Sequence, residues 1–196
     1  MNKILYWLMN TRFYVWFLSR VMPHLRFSTG YTRIKGWQYH AGYALLQSGD
    51  LICSADRNKA SAVVPGDLSH LDICIVKDPK IKFEAVGMTS KDFTKVHFFD
   101  ICKESDQVVI FRPDFDEAYR NLFLENVMKM SFSIYDYEYD LLDPNKVFCT
   151  ELGYHADTEK RIGWKIGKDL LGRPTIIPDS FYQTKGLRVI WDSDKV

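Results

Sequence analysis

Two short apolar runs, Leu71–Val76 and Ile81–Val86, stand either side of Lys77-Asp78-Pro79-Lys80. β-Branched residues in runs this short, separated by turn-forming residues, specify two strands of an antiparallel pair rather than one helix. With a period of two, Leu71, Ile73 and Ile75 point to one face of the first strand. His70, Asp72 and Cys74 then point to the other, with His70 at the strand's start, where the sheet edge is expected to open toward solvent. Leu51–Cys53, Val96–Phe99 and Gln107–Phe111 add further strand candidates.

Helical patterns flank this block. Residues 3–22 read as an aromatic-rich helix closed by Pro23, and Trp37–Gln47 as a short helix ending at Ser48-Gly49. Tyr119, Phe123 and Val127 recur at four-residue intervals within Phe115–Met130, the spacing of one helix face. Phe148 leads into a further helix over about Thr150–Lys160. Residues 24–36 and 56–66 read as irregular, with Gly30, Gly36 and Gly66 as punctuation. Strands gathered in the middle and helices on either side indicate an α+β chain, with a small antiparallel sheet packed against helices. Residues 1–44 are expected to form a helical extension and residues 45–196 the main domain.

At 196 residues, 46% of them apolar, the chain can bury one sizeable core. The 26 basic and 25 acidic residues balance, which leaves no electrostatic footprint for nucleic acid. Cys53, Cys74, Cys102 and Cys149 lack paired spacing and read as reduced thiols in an intracellular protein. No small-residue cleavage site follows the N-terminal apolar runs, so a signal peptide is not expected. A membrane span over residues 4–22 would set Arg12 near mid-bilayer, at a cost of at least ~2.5–3.5 kcal/mol. Two placements of residues 3–22 remain open: a helix lying on a membrane surface, or one packed on the domain or in a dimer interface. The expected location is therefore cytoplasmic, with peripheral membrane contact as the variant.

Two places carry candidate chemistry. His70, on a rigid strand, suits a general base. If the hairpin turn centres on Lys77, Glu84 faces His70 and can orient its ring. A turn nearer Pro79 brings residues 87–88 opposite instead, and Asp72 on the same strand is the competing orienter. Val147-Phe148-Cys149-Thr150-Glu151 places a thiol where a helix begins. There the macrodipole favours thiolate, and free N–H groups can hold an oxyanion. Tyr135 and Tyr137 are candidate oxyanion or substrate-binding groups. His24, His40, His97 and His155 lack metal-ligand spacing, and His155 lies about 600° around the helix from Cys149. The acidic run Asp136, Glu138, Asp140 and Asp143 lacks the glycine of a calcium loop and reads as solvated. No metal or cofactor is expected.

Several of these segments together resemble the permuted papain-like amidases of the YiiX/YaeF type, relatives of the NlpC-type cell-wall peptidases and of lecithin–retinol acyltransferases. Gln47-Ser48-Gly49-Asp50-Leu51-Ile52 looks like the family's Gly-Asp strand, and Val64-Pro65-Gly66-Asp67-Leu68-Ser69-His70 like its loop ending in Ser-His. Phe83-Glu84-Ala85, Val109-Ile110-Phe111-Arg112-Pro113, Tyr135-Asp136-Tyr137 and Phe148-Cys149-Thr150-Glu151-Leu152 follow in the same order, spanning roughly residues 45–185. The resemblance implies a circularly permuted papain-like fold with Cys149 as nucleophile, His70 as base and Glu84 as the orienting group. Asp72 and Thr150 depart from the family pattern, and Asp72 leaves the orienter's identity open. The implied activity is amide hydrolysis through an acyl-enzyme, on a cell-wall peptide. The alternatives are acyl transfer or hydrolysis on a lipid ester or amide at a membrane surface, or a silent binding protein of the same fold.

Overall fold

A computed structural model describes residues 11–21, 34–55, 66–75, 84–89, 92–137, 141, 145–169 and 172–196. Two helices come first, α1 (Arg12–Arg20) and α2 (Gly36–Leu45). Strands β1 (Leu51–Ala55), β2 (His70–Cys74), β3 (Glu84–Thr89) and β4 (Asp92–His97) follow, then helix α3 (Phe98–Glu104). Strand β5 (Gln107–Pro113) leads to α4 (Glu117–Lys129), and the short β6 (Ile134–Tyr135) and β7 (Lys146–Val147) lead to α5 (Cys149–Ala156). A small hairpin, β8 (Ile166–Lys168) and β9 (Pro174–Ile176), a 3-10 turn over Pro178–Gln183, and β10 (Leu187–Asp192) complete the chain.

Six strands form one sheet in the order β10-β5-β1-β2-β3-β4, every neighbouring pair antiparallel. Its two faces carry separate cores. Leu51, Cys53, Leu71, Ile73, Val86, Met88, Val109 and Phe111 face α4 and α5, and meet Tyr119, Phe123, Val127, Phe148 and Leu152 there. Ile52, Cys74, Ala85, Val108 and Ile110 form the second core with Leu46, Phe98, Ile101 and Cys102, and Tyr39 and Tyr43 of α2 pack against it. Fully burying an aromatic such as Phe111 or Phe123 contributes on the order of 2–3 kcal/mol. The helix stripe Tyr119, Phe123 and Val127 is buried as its spacing requires.

His70 at the start of β2 is partly exposed, while farther along the strand α2 and α3 cover that face and Cys74 is fully buried. One expectation needs correction. The Val96–Phe99 run is not one strand. β4 ends at His97, and Phe98 begins α3, whose Phe98, Ile101 and Cys102 recur every three to four residues into the second core.

A buried ion pair ties the sheet to α2. Asp50, 1% exposed, accepts two hydrogen bonds from Arg112 (2.7 and 2.9 Å), and Arg112 also donates to the Leu45 carbonyl at 2.7 Å. Of the expected helix over residues 3–22, residues 12–20 are helical and the remainder, apart from residues 11 and 21, lies outside the described residues. No described helix is long and apolar enough to cross a membrane.

Candidate functional site

Helix α5 begins at Cys149 itself, one residue earlier than its sequence suggests. Buried Val147 and Phe148 anchor the approach, and the Phe148 N–H donates to Glu151 Oε2 at 3.0 Å in the first turn. Thr150 Oγ1 donates to the Ile176 carbonyl at 2.9 Å, stitching the helix start to β9. At the other end Asp157, fully buried, accepts from Tyr119 Oη, Arg161 N, Ile162 N and Trp164 Nε1 at 2.7–3.0 Å. Both helix ends are thus fixed by long-range contacts. The backbone N–H groups of the first turn have no intrahelical acceptor, so they point out of the helix beside the sulfur. Cys149 itself is 5% exposed.

His70 opens β2, and the loop before it is held from a distant part of the chain. Asp179 accepts hydrogen bonds from the backbone N–H groups of Asp67 (3.3 Å) and Leu68 (3.0 Å). Gly66, at φ +118°, lies so close that a Cβ there would sit 2.1 Å from Asp179 Oδ2. Ser69 N–H donates to the Ser54 carbonyl at 2.9 Å, handing the loop over to the sheet. Next, His70 Nε2 lies 3.3 Å from Asp72 Oδ1. A carboxylate can only accept, so Nε2 is the protonated nitrogen in that bond, and Nδ1 is left for a second partner. Burial pulls the imidazole down. The charge and hydrogen bond of Asp72, with the hydrogen bond and charge of Cys149, outweigh it and hold His70 well above its ordinary value. His70 therefore bonds to a buried carboxylate and lies within electrostatic reach of the α5 sulfur.

Gly87 completes this arrangement by lacking a side chain. It pairs with Asp72 across β2 and β3, and a Cβ there would lie 2.2 Å from Asp72 Oδ1 and 3.2 Å from His70 Nε2. Gly87→Ala is expected to push the carboxylate off the imidazole and slow Cys149 alkylation by iodoacetamide by about tenfold or more, while the fold survives. Unchanged alkylation with an unchanged melting temperature would show that the Asp72 contact does not matter to the thiol.

The remaining candidates distribute unevenly. The hairpin register is not the one centred on Lys77. Asp72 pairs with Gly87 and Cys74 with Ala85, which centres the turn between residues 79 and 80. The backbone of Glu84 consequently lies past the Cys74 end of the ladder, opposite His97 and at the far end of β2 from His70. The carboxylate brought to His70 is Asp72, the other candidate, on the same strand. Tyr135 pairs with Val147, two residues before Cys149, and its ring packs edge-on against Tyr137 at 4.8 Å. Both tyrosines thus flank the strand that leads to the thiol. Asp136 is 1% exposed rather than solvated, while Glu138, Asp140, Asp143 and His24 lie outside the described residues.

All four cysteines stand outside any disulfide and are buried. Burial, then Cys149, Asp179 and Asp72, pushes the Cys53 thiol well up, and burial takes Cys102 up to about 12. The contributions of Asp179, Gly87 and the Thr150–Ile176 bond were not visible in the sequence, because each depends on a contact between distant segments or across the sheet.

Comparisons with known proteins bear on the fold. No protein-family model matches this sequence, and no curated protein does. Among solved structures, YiiX from Escherichia coli O157:H7, described as a metalloprotein, is similar with a TM-score of 0.58 at 12% identity, over 74% of this chain and 97% of that one. Among the described residues here, no group of three or more His, Cys, Asp or Glu is placed to hold a metal ion. At this identity the likeness is one of fold: the chain has an α+β fold of the YiiX type.

Proposed function

We propose that this protein is a cysteine-nucleophile hydrolase with a circularly permuted papain-like fold, in which Cys149 attacks an acyl carbon, His70 shuttles the proton and Asp72 orients His70. The observation that carries this reading is His70, hydrogen-bonded to a buried carboxylate and within electrostatic reach of a sulfur at the first residue of a helix. A packed structural histidine needs neither that sulfur nor a helix terminus beside it.

The steps follow from those positions. His70 takes the thiol proton, and the Cys149 sulfur attacks the carbonyl carbon of an amide or ester to form a C–S bond. The Cys149 backbone N–H, aided by a Tyr135 or Tyr137 hydroxyl, stabilises the resulting oxyanion. The imidazolium then protonates the leaving amine or alcohol as its bond to carbon breaks. Water adds to the thioester, giving a proton to His70, and the C–S bond breaks to release the acid. A peptide amide, as in cell-wall peptide, is the substrate class this reading favours.

The test uses p-nitrophenyl acetate, which asks little of a substrate groove. A burst of p-nitrophenolate with an acetyl group recovered on Cys149 supports the reading; acetylation elsewhere, or none, overturns it. The pH profile of kcat/KM supplies a further expectation. The alkaline limb reports loss of the imidazolium proton. Because His70 is held well above its ordinary value, that limb lies above pH ~6.5. Asp72→Asn removes the leading upward influence and is expected to move the limb to lower pH. A limb that stays in place removes Asp72 from the mechanism.

A further inference from the structure

We infer that the exposed face of α1 is a docking surface for anionic lipid bilayers. At about 100° per residue, Arg12, Trp16 and Arg20 line one side of this helix, and Phe13 lies within the same arc of about 100°. The structure exposes all four: Phe13 at 65%, Trp16 at 53%, and both arginines at the helix ends. Tyr14 and Phe17, outside that arc, are half-buried. The face presented to solvent is therefore cation, aromatic and cation in line, with a second ring 5.8 Å from the first. A solvated helix normally turns its apolar residues inward, whereas here two large aromatics point out.

Charge decides what covers this face. The first 49 residues contain six Lys or Arg and no Asp or Glu, although the whole chain carries 26 basic and 25 acidic residues. The rest of the chain is accordingly net acidic, and the excess of positive charge falls in the stretch of sequence that contains α1. Interleaved cations and aromatic rings suit the interface of an anionic membrane, where rings sit at headgroup level and cations meet phosphates. The helix also lies toward the β8–β9 hairpin. Tyr14 lies within electrostatic reach of Asp169 and Arg173, which flank the β8–β9 turn, and Arg20 within reach of Tyr137. β9 in turn holds Thr150 at the start of α5. The docking itself does not depend on the thiol chemistry.

The test is flotation of the full chain with vesicles of phosphatidylcholine alone, or containing about 30 mol % phosphatidylglycerol, at low and high salt. Binding is expected to the anionic vesicles, with each cation near the surface contributing about fivefold. Arg12→Gln with Arg20→Gln, both on solvent-exposed positions, should cut binding about 25-fold. Phe13→Ser with Trp16→Ser should cut it by about tenfold or more. In both variants p-nitrophenyl acetate reactivity should match the unaltered protein, which separates this inference from the hydrolase reading. Equal binding to neutral and anionic vesicles, or binding that neither double variant changes, overturns the proposal. So does a dimer that the Phe13/Trp16 variant dissociates, or preferential binding of an oligonucleotide through the same residues.

Discussion

His70→Ala is expected to slow acylation of Cys149 by p-nitrophenyl acetate by about 10³-fold, within the range that loss of a positioned base produces. Cys149→Ala should abolish it, with no acetyl group recovered on another cysteine. The selectivity follows from burial. Cys53 is fully buried and pushed well up, and Cys102 is pushed up to about 12, so neither offers thiolate near neutral pH. The effect of His70→Ala should fall mainly on rate, because the ring is partly exposed, at 29%. Far-UV circular dichroism and the melting temperature should therefore stay close to those of the unaltered protein. A variant that folds and acylates within tenfold of the original rate would show that the imidazole is not the base. Acetylation first at Cys53 or Cys102 would move the nucleophile away from α5.

The largest effect on stability is expected at Asp157. Its two oxygens accept from two backbone N–H groups, a tyrosine hydroxyl and an indole N–H, all within 3.0 Å. Asp157→Ala would strand these four donors where water reaches them poorly. Each stranded group costs about 1–3 kcal/mol, but relaxation makes the losses less than additive. A net loss of about 3–5 kcal/mol is a large share of the 5–15 kcal/mol typical of a whole domain. Chemical denaturation should show a lower midpoint with a similar slope. A change under 1 kcal/mol would mean that water replaces the carboxylate at little cost. Asp157→Asn retains acceptor capacity on one oxygen and should fall between the two.

What could be read from the sequence was set by range. The helix face of Tyr119, Phe123 and Val127 needed only local spacing, and so did the strand character of Leu71 and Ile73. The His70–Asp72 contact is an i, i+2 neighbour on one strand, and the same period of two already named Asp72 as the competing orienter. Glu84 required a cross-strand register, and a shift of the turn from residue 77 to between 79 and 80 moved it to the far end of the ladder. The covered second face was in principle legible: Val108-Val109-Ile110-Phe111 is apolar at both parities, the mark of a strand buried on both sides. Phe98 and Phe99 resembled strand residues because a seven-residue helix is too short to display its period. Asp179 stands 111 residues from the loop it holds, beyond any local pattern.

That last contact has a bearing on where the chemistry is vulnerable. Ile176 tethers the helix that begins with the sulfur, and Asp179, three residues on, tethers the loop that ends with the imidazole. The separation between thiol and imidazole is thus gauged by a four-residue ruler belonging to neither. On the proposed hydrolase reading, variation there should detune the pair while leaving Cys149 and His70 themselves unchanged.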